Sequence, residues 1–308
     1  MVIFTAITQS VRSGARRNGA GPDVFFAGAA VGIISSVLVQ LAFRATGLKG
    51  AAGLTASGSG AGPADERLGA KVQDIISSRA VSTAFQPIHH LETGEVTGVE
   101  ALTRFSGWPI QAPDAWFADA ASAGCVLQLE FLALESALAA AAALPPHLYV
   151  SLNVSPQACC DPRMDAILQG SSLPAERIVL ELTEHSPVTD YPSLCAALAR
   201  ARALGLRIAV DDAGAGFASM RHILHVRPDV IKLDRDLVSG IEGDQAKKAL
   251  GAAMVTFAAG IGAALVAEGI ETEEELAAVR ELGVTAGQGY LLGRPSVEPE
   301  EWRTWQEL

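Results

Sequence analysis

Seven polar side chains recur at one kind of place. Glu100 sits in "GVEALTRF", Asn153 ends "YVSLN", Glu181 lies in "IVLELTE" and Asp211 ends "IAVD". Lys232 lies in "VIKLD", Glu268 follows "ALVA" and Gln288 lies in "AGQGY". Each falls at or near the C-terminal end of a short apolar run. An apolar strand has no need of a charge there, and burying one unpaired is costly. A single case reads as a solvated strand end; a succession in register points to a shared site. Glu, Asn, Glu and Asp are hard oxygen ligands. With no histidine or thiolate among them they suit Mg2+ or Mn2+ rather than zinc. Carboxylates around one cavity can hold two ions ~3.5–4 Å apart, which activate a water and clamp the oxygens of an in-line phosphoryl displacement. Lys232 among these acids either holds the attacking water or neutralises phosphate charge, or it forms an inward Lys–Asp ion pair. Residue types alone leave both open.

The stretch "IAVDDAGAGFAS" invites a second reading. Gly214 and Gly216 begin the spacing of the dinucleotide fingerprint G-x-G-x-x-A, in which bare backbone amides cradle a pyrophosphate. Asp234 falls near the spacing of a ribose-binding acid. Asp211 and Asp212 directly before the glycines speak against it, because they repel phosphate unless cations screen them. The fingerprint also belongs on the first strand of its fold, and this is about the fifth.

The elements that must position these residues follow from periodicity. Strands are expected at Phe85–Ile88, Val96–Leu102, Tyr149–Asn153, Ile178–Leu182, Ile208–Asp211, Val230–Leu233, Ala264–Ala267 and Ala286–Gly289. Between them lie "LEFLALESALAAAAAL", "SLCAALARARALG", "DQAKKALGAAMVTFAAGIG" and "TEEELAAVRELG", apolar at helical spacing and often closed by Gly. Strand alternating with helix implies a mostly parallel sheet. Eight strands in ~240 residues match a (βα)8 barrel, in which all strand C-terminal ends open on one face.

Composition narrows the partners. The 308-residue chain has a net charge of -11 and 49% hydrophobic residues. Residues 1–63 carry five basic residues against Asp23, leaving 18 basic and 33 acidic residues for the rest. So acidic a body argues against a polymeric nucleic acid as partner. Cys125, Cys159, Cys160 and Cys195 contain no C-x-x-C pair, which speaks for idle thiols rather than a disulfide framework or a zinc site.

The expected division is a short basic segment 1–23, a transmembrane helix 24–43, a Gly/Ser/Ala-rich linker 44–66 and a catalytic domain 67–308. Residues 24–43 are uncharged, about the length that spans a bilayer core. The rival is a cleaved signal peptide, but the run is long for one and no clear A-x-A site follows. Three arginines before the run and Arg44 and Lys49 after it leave orientation unset.

The ordered set "FQPIHHLETGEVTGVEALTRF", "LNVSPQ", "LELTEH", "VDDAGAGFAS", "IKLDRDLV", "VAEGIET" and "GQGYLLGRP" resembles the EAL-domain family, phosphodiesterases of the second messenger cyclic di-GMP. The resemblance covers residues 68–304, with Glu100, Ala101 and Leu102 as the signature triplet. It implies an α/β fold, a modified (βα)8 TIM-like barrel with one antiparallel strand. It also implies Mg2+- or Mn2+-dependent hydrolysis of one phosphodiester bond, giving linear pGpG, with two ions. By motif position, Glu100, Asn153, Glu181 and Asp211 look like metal ligands and Asp212 belongs with the second ion. Lys232 looks like the residue orienting the water or the substrate phosphate, and Glu268 a general base or an organiser of the metals. Glu184 matches the residue that steadies the loop after Asp211, and Glu271 a supporting acid. Gln86, Arg104 and Gln288 match substrate-side positions; a guanidinium at Arg104 suits a phosphate oxygen. The family implies a homodimer and a cytoplasmic reaction. The barrel is therefore expected on the cytoplasmic face of the inner membrane or, without a span, as a soluble cytoplasmic protein.

The departure lies after Asp212. Where the family has D-D-F-G-T-G-Y-S-S, this chain has Ala213, Ala215, Phe217 and Ala218, so the loop loses an aromatic anchor and hydroxyl groups. The alternative function is accordingly a weakly active or inactive domain that binds cyclic di-GMP as a receptor or interaction module. His222 and His225 are expected on a helix away from any metal, His89 and His90 at the surface, and "SVEPEEWRTWQEL" as a terminal helix whose tryptophans pack on the barrel.

Overall fold

A computed structural model describes residues 63–107, 110–183, 188–213 and 217–305. The chain divides into two units, Met1–Ser59 and Gly60–Leu308, and every described residue belongs to the second. The apolar run 24–43 lies outside the described residues. Among the described residues no helix is long and apolar enough to cross a membrane.

Eight strands close into a barrel in chain order: β1 Val81–His90, β2 Val96–Phe105, β3 Tyr149–Val154, β4 Ile178–Leu182, β5 Arg207–Ala213, β6 Val230–Leu233, β7 Ala264–Ala267 and β8 Ala286–Gly287. The first strand runs antiparallel to both neighbours, and the other neighbouring pairs are parallel. The cause is local. "LETGE" joins β1 to β2 through Gly94 at φ +79, and a connection that short can only reverse the chain. Parallel pairs need a crossover, and the intervening sequences supply helices: Val126–Ala141, Tyr191–Ala203, Gln245–Ile261 and Glu273–Glu281. Their ends carry the expected signals. Thr272 and Glu275 form a capping box, and Gly262 closes its helix at φ +74.

Alternation along the strands builds the interior in layers. Ile88, Val179, Ala209, Val230 and Val266 form a buried apolar layer, with Tyr149 and Ala286 packed on it. Two residues further along each parallel strand, the same inward face carries Ser151, Glu181, Asp211, Lys232, Glu268 and Gln288. The reversed β1 supplies Gln86, two residues before Ile88, and Gln86 pairs with Glu100. The polar layer is thus a geometric consequence of period two above an apolar floor. Below it, a Cβ on Gly98 would sit 2.4 Å from the Tyr149 ring, so that position holds glycine to admit the aromatic.

Three local expectations need correction. His89 and His90 are not surface residues: they are the half-buried end of β1, paired with Gly287 and Ala286. Within "SVEPEEWRTW" the helix is only Pro299–Trp302, because Ser296 instead bridges to Phe85 as an extended segment. Trp302 still packs edge-on to Phe85 at 4.8 Å and donates its indole N–H to Ser296 O at 3.1 Å. The last strand is also shorter than expected, Ala286–Gly287, although Gln288 N still donates to Ala267 O at 2.8 Å.

Candidate active site and metal centre

Lys232 is the hub of the polar layer. It is 2% exposed, and its Nζ lies 2.5 Å from Glu181 Oε1, 2.6 Å from Glu268 Oε1, 3.1 Å from Glu100 Oε2 and 3.6 Å from Asp211 Oδ1. Neutral groups complete the network. Asn153 donates to Glu100 Oε1 at 2.9 Å, and Ser151 donates to Glu181 Oε2 at 2.6 Å. Gln288 donates to Glu100 Oε2 at 2.5 Å and to Glu268 Oε1 at 3.0 Å.

Adjacent carboxylates on a regular strand point to opposite faces. The structure brings Asp211 and Asp212 together by a bulge. Val210 pairs with Ile231 but Ala213 pairs with Leu233, so β5 carries one extra residue across that interval. Asp212 takes up the slack at φ +53, a left-handed conformation that aspartate tolerates better than most residues. As a result, ligand oxygens of Asp211, Asp212 and Glu268 all lie within 4.8 Å of one another.

Among the described residues the charges around Lys232 do not balance: four carboxylates (Glu100, Glu181, Asp211 and Glu268) surround one ammonium. Glu100 is the best supported. Burial pushes its pKa up, but the Lys232 charge and hydrogen bonds from Gln288, Asn153 and Lys232 outweigh that and hold it below the ordinary value. Glu181 is pushed up to about 8, by burial first and then by Glu100 and Asp211, with Lys232 only partly opposing. Glu268 is raised well above its usual range for the same reasons, and four surrounding carboxylates lift Lys232 despite its burial. Without a further cation, protons must make up the deficit.

These residues fit divalent cations. The donors are oxygens, with no histidine or thiol among them. Asp211 Oδ1 is buried and has no hydrogen-bond partner, only the Lys232 ammonium at 3.6 Å. Asp211, Asp212 and Glu268 bring ligand oxygens within 4.8 Å of one another, beside Glu100 and Glu181, which Asn153 and Lys232 hold in place.

The pKa directions give a sign. A Glu181 carboxyl at about 8 in the fold against 4.5 in the unfolded chain means the fold binds more protons between those values. Stability from this group is complete below about 4.5 and is lost as pH rises through about 8. The Tm of the metal-stripped chain is therefore expected to fall from pH 5 to pH 8 in a thermal melt. Added Mn2+, which replaces those protons, is expected to abolish the fall. A flat or rising profile in chelator contradicts the assignment.

Other sequence-designated residues take different places. Gln86 donates to Gly293 O at 3.0 Å and seats the loop that follows Gln288. Arg104 sits at the end of β2, where it donates to Thr103 O at 3.0 Å, and among the described residues it has no hydrogen bond or ion pair to the cluster. Glu271 is half-exposed and paired with Arg235 at 2.8 Å. Glu184 lies outside the described residues, as do Gly214–Gly216 in the altered loop. His222 is buried on helix Phe217–Val226 and meets the Tyr191 hydroxyl at 3.3 Å.

Sequence reasoning passed over two residues. Ser151, which holds Glu181, is recoverable as the residue two before Asn153 on the same strand face. Glu130 is a buried acid on helix Val126–Ala141 that accepts from Ser155 N and from its hydroxyl at 2.8 Å, pinning the chain just beyond Asn153. Only its place inside an apolar helix run marks it.

The family model "EAL domain" matches residues 70–295. The Pseudomonas aeruginosa protein named cyclic di-GMP phosphodiesterase PA2567 is 28% identical over 242 residues, 76% of this chain and 41% of that protein. An uncharacterized Sinorhizobium fredii protein, y4lL, is 28% identical over 75% of this chain and 29% of its own length. A solved Klebsiella pneumoniae BlrP1 complex with calcium and cyclic di-GMP superposes with a TM-score of 0.64 at 29% identity, over 71% of this chain and 56% of that one. The chain thus spans less than two thirds of the length of these relatives.

Proposed function

This chain belongs to the EAL-domain family, and on that premise we propose that it hydrolyses one phosphodiester bond of cyclic di-GMP to linear pGpG in a divalent-metal-dependent reaction. The observation that carries the reading is the convergence of four carboxylates on Lys232 at one barrel mouth, with ligand oxygens of Asp211, Asp212 and Glu268 within 4.8 Å of one another. A PA2567-like activity is consistent with it.

In this proposal Glu100, Asn153, Glu181 and Asp211 hold one Mg2+ or Mn2+ ion and Asp212 contributes to a second. When bound, such ions acidify a water and neutralise phosphate oxygens. The chain's own groups do the rest. Lys232, fixed among acids from four strands, presents a positive charge where the phosphorane gains negative charge. Glu268, between Lys232 and Gln288, accepts the proton of the attacking water. Gln86, Arg104 and Gln288 line the substrate side, and Glu184 and Glu271 support from neighbouring loops. The homodimer, the anchor at residues 24–43 and a barrel facing the cytoplasm are part of the same proposal.

The test is turnover. The full chain with Mn2+ or Mg2+ is expected to convert cyclic di-GMP to pGpG, and chelation is expected to stop it. Tight binding of cyclic di-GMP that is recovered intact after long incubation overturns hydrolysis in favour of the receptor reading.

A further inference from the structure

The chain leaving Glu268 turns under constraint. Gly269 has φ +68, and a Cβ there would lie 2.3 Å from Arg235 Cγ. Ile270 donates to Gln288 O and accepts from Leu291 N, both at 3.1 Å. The carboxylate of Glu275, 6% exposed, then takes over. Its Oε2 accepts from the amides of Glu271 at 2.8 Å and Thr272 at 3.1 Å, and its Oε1 accepts from the amide of Gly240 at 3.0 Å.

These amides belong to two different segments. Glu271 and Thr272 follow β7, and Gly240 follows the short helix Arg235–Val238 that leaves β6. One carboxylate therefore ties the exits of the two strands that deliver Glu268 and Lys232, whose side chains meet at 2.6 Å. The Arg235–Glu271 ion pair joins the same two segments at 2.8 Å, near the surface. Helix capping accounts for only part of this. Thr272 Oγ1 accepting from Glu275 N at 3.2 Å, with Glu275 on the Thr272 amide, completes the capping box. The bond to Gly240 serves a different element from the capped helix: Gly240 is the N-cap residue of the 3-10 turn Ile241–Gly243. Burial opposes the charge on Glu275, yet the amide donors hold its pKa below the ordinary value, so the tie stays ionised.

We propose that Glu275 is a positioning residue: by bridging Gly240 to Glu271 and Thr272 it holds Glu268 where it meets Lys232, Asp211 and Asp212, and thereby sets the divalent-ion affinity of the site. The inference rests on the metal-binding part of the proposed function.

Calorimetric titration of Mn2+ alone into the metal-stripped full chain tests it. Groups that orient metal ligands alter affinity by about 10- to 100-fold when removed. Glu275→Ala is expected to weaken Mn2+ binding at least about tenfold. Thr272→Ala removes a cap of the same helix, so it is expected to lower the Tm with Mn2+ affinity unchanged. Glu275→Gln keeps an amide oxygen for Glu271 and Thr272 but turns an NH2 group towards the Gly240 N–H. It is expected to weaken Mn2+ as Glu275→Ala does, and it serves if the alanine variant does not fold. Unchanged Mn2+ affinity in both Glu275 variants, an equal loss in Thr272→Ala, or no Mn2+ binding by the wild type overturns the proposal. Turnover is scored separately. A wild type that binds Mn2+ but leaves cyclic di-GMP intact refutes the phosphodiesterase reading while the positioning role stands. Active wild type with Glu275 variants of undiminished affinity refutes only the positioning role.

Discussion

Lys232→Ala is expected to lower kcat for cyclic di-GMP hydrolysis at least about a hundredfold while changing substrate affinity by only a few fold. The ammonium is already paired with Glu100, Glu181, Asp211 and Glu268 before substrate arrives, so binding does not create its contacts. Its greater worth comes when the reacting phosphate gains charge. Removing it also leaves four carboxylates facing one another in a buried space. Loss of one partner from a buried ion pair typically costs about 3–5 kcal/mol. The variant is therefore expected to depend on divalent ions for stability, with a Tm that drops sharply in chelator. Steady-state kinetics beside a calorimetric Kd checks the first claim, and equal losses in kcat and affinity contradict it. Melts with and without Mn2+ check the second.

Glu100→Ala is expected to abolish measurable turnover. It removes a proposed metal ligand, and it also removes the acceptor of three buried donors: Asn153 Nδ2, Gln288 Nε2 and Lys232 Nζ. Lys232 and Gln288 keep Glu268 as an acceptor, but the Asn153 amide loses its carboxylate, and a donor left unsatisfied costs about 1–3 kcal/mol. Glu100→Gln is the necessary companion, because it keeps the volume and one acceptor. If both variants fold, as judged by circular dichroism, and both lose Mn2+ binding along with turnover, the role is ligation. Retention of most activity in either sinks the metal assignment.

Much of this was legible in the chain. The strands at Ile178–Leu182, Val230–Leu233 and Ala264–Ala267 coincide with the expected spans, since short apolar runs closed by polar residues carry their own boundaries. Six of the seven strand-end residues that opened the sequence reading meet in contacts with Lys232 or with its carboxylate partners, and Asp211 joins them at 3.6 Å. Arg104 and Glu271 do not join that network, because being near a motif in sequence does not decide which way a side chain at a strand or loop end turns. Ser151, Glu130 and Glu275 escaped notice for a related reason. Each makes a cross-element bond to a partner 25 to 35 residues away, and that pairing is not announced by the local pattern around either residue.

In this protein, residue type and period alone settle the class of chemistry and the kind of fold: oxygen donors at the ends of alternating strands, hence a barrel mouth suited to hard cations. Closure of the barrel decides the rest. It gathers acids from four strands around one ammonium, which makes their charges mutually dependent and lifts Glu181 to about 8 while Glu100 stays low. The bulge at Val210–Ala213 decides that "DD" is a pair facing one way rather than two residues facing apart. Burial, dielectric and cross-strand distance exist only once the chain has closed, so no local reading of the sequence contains them.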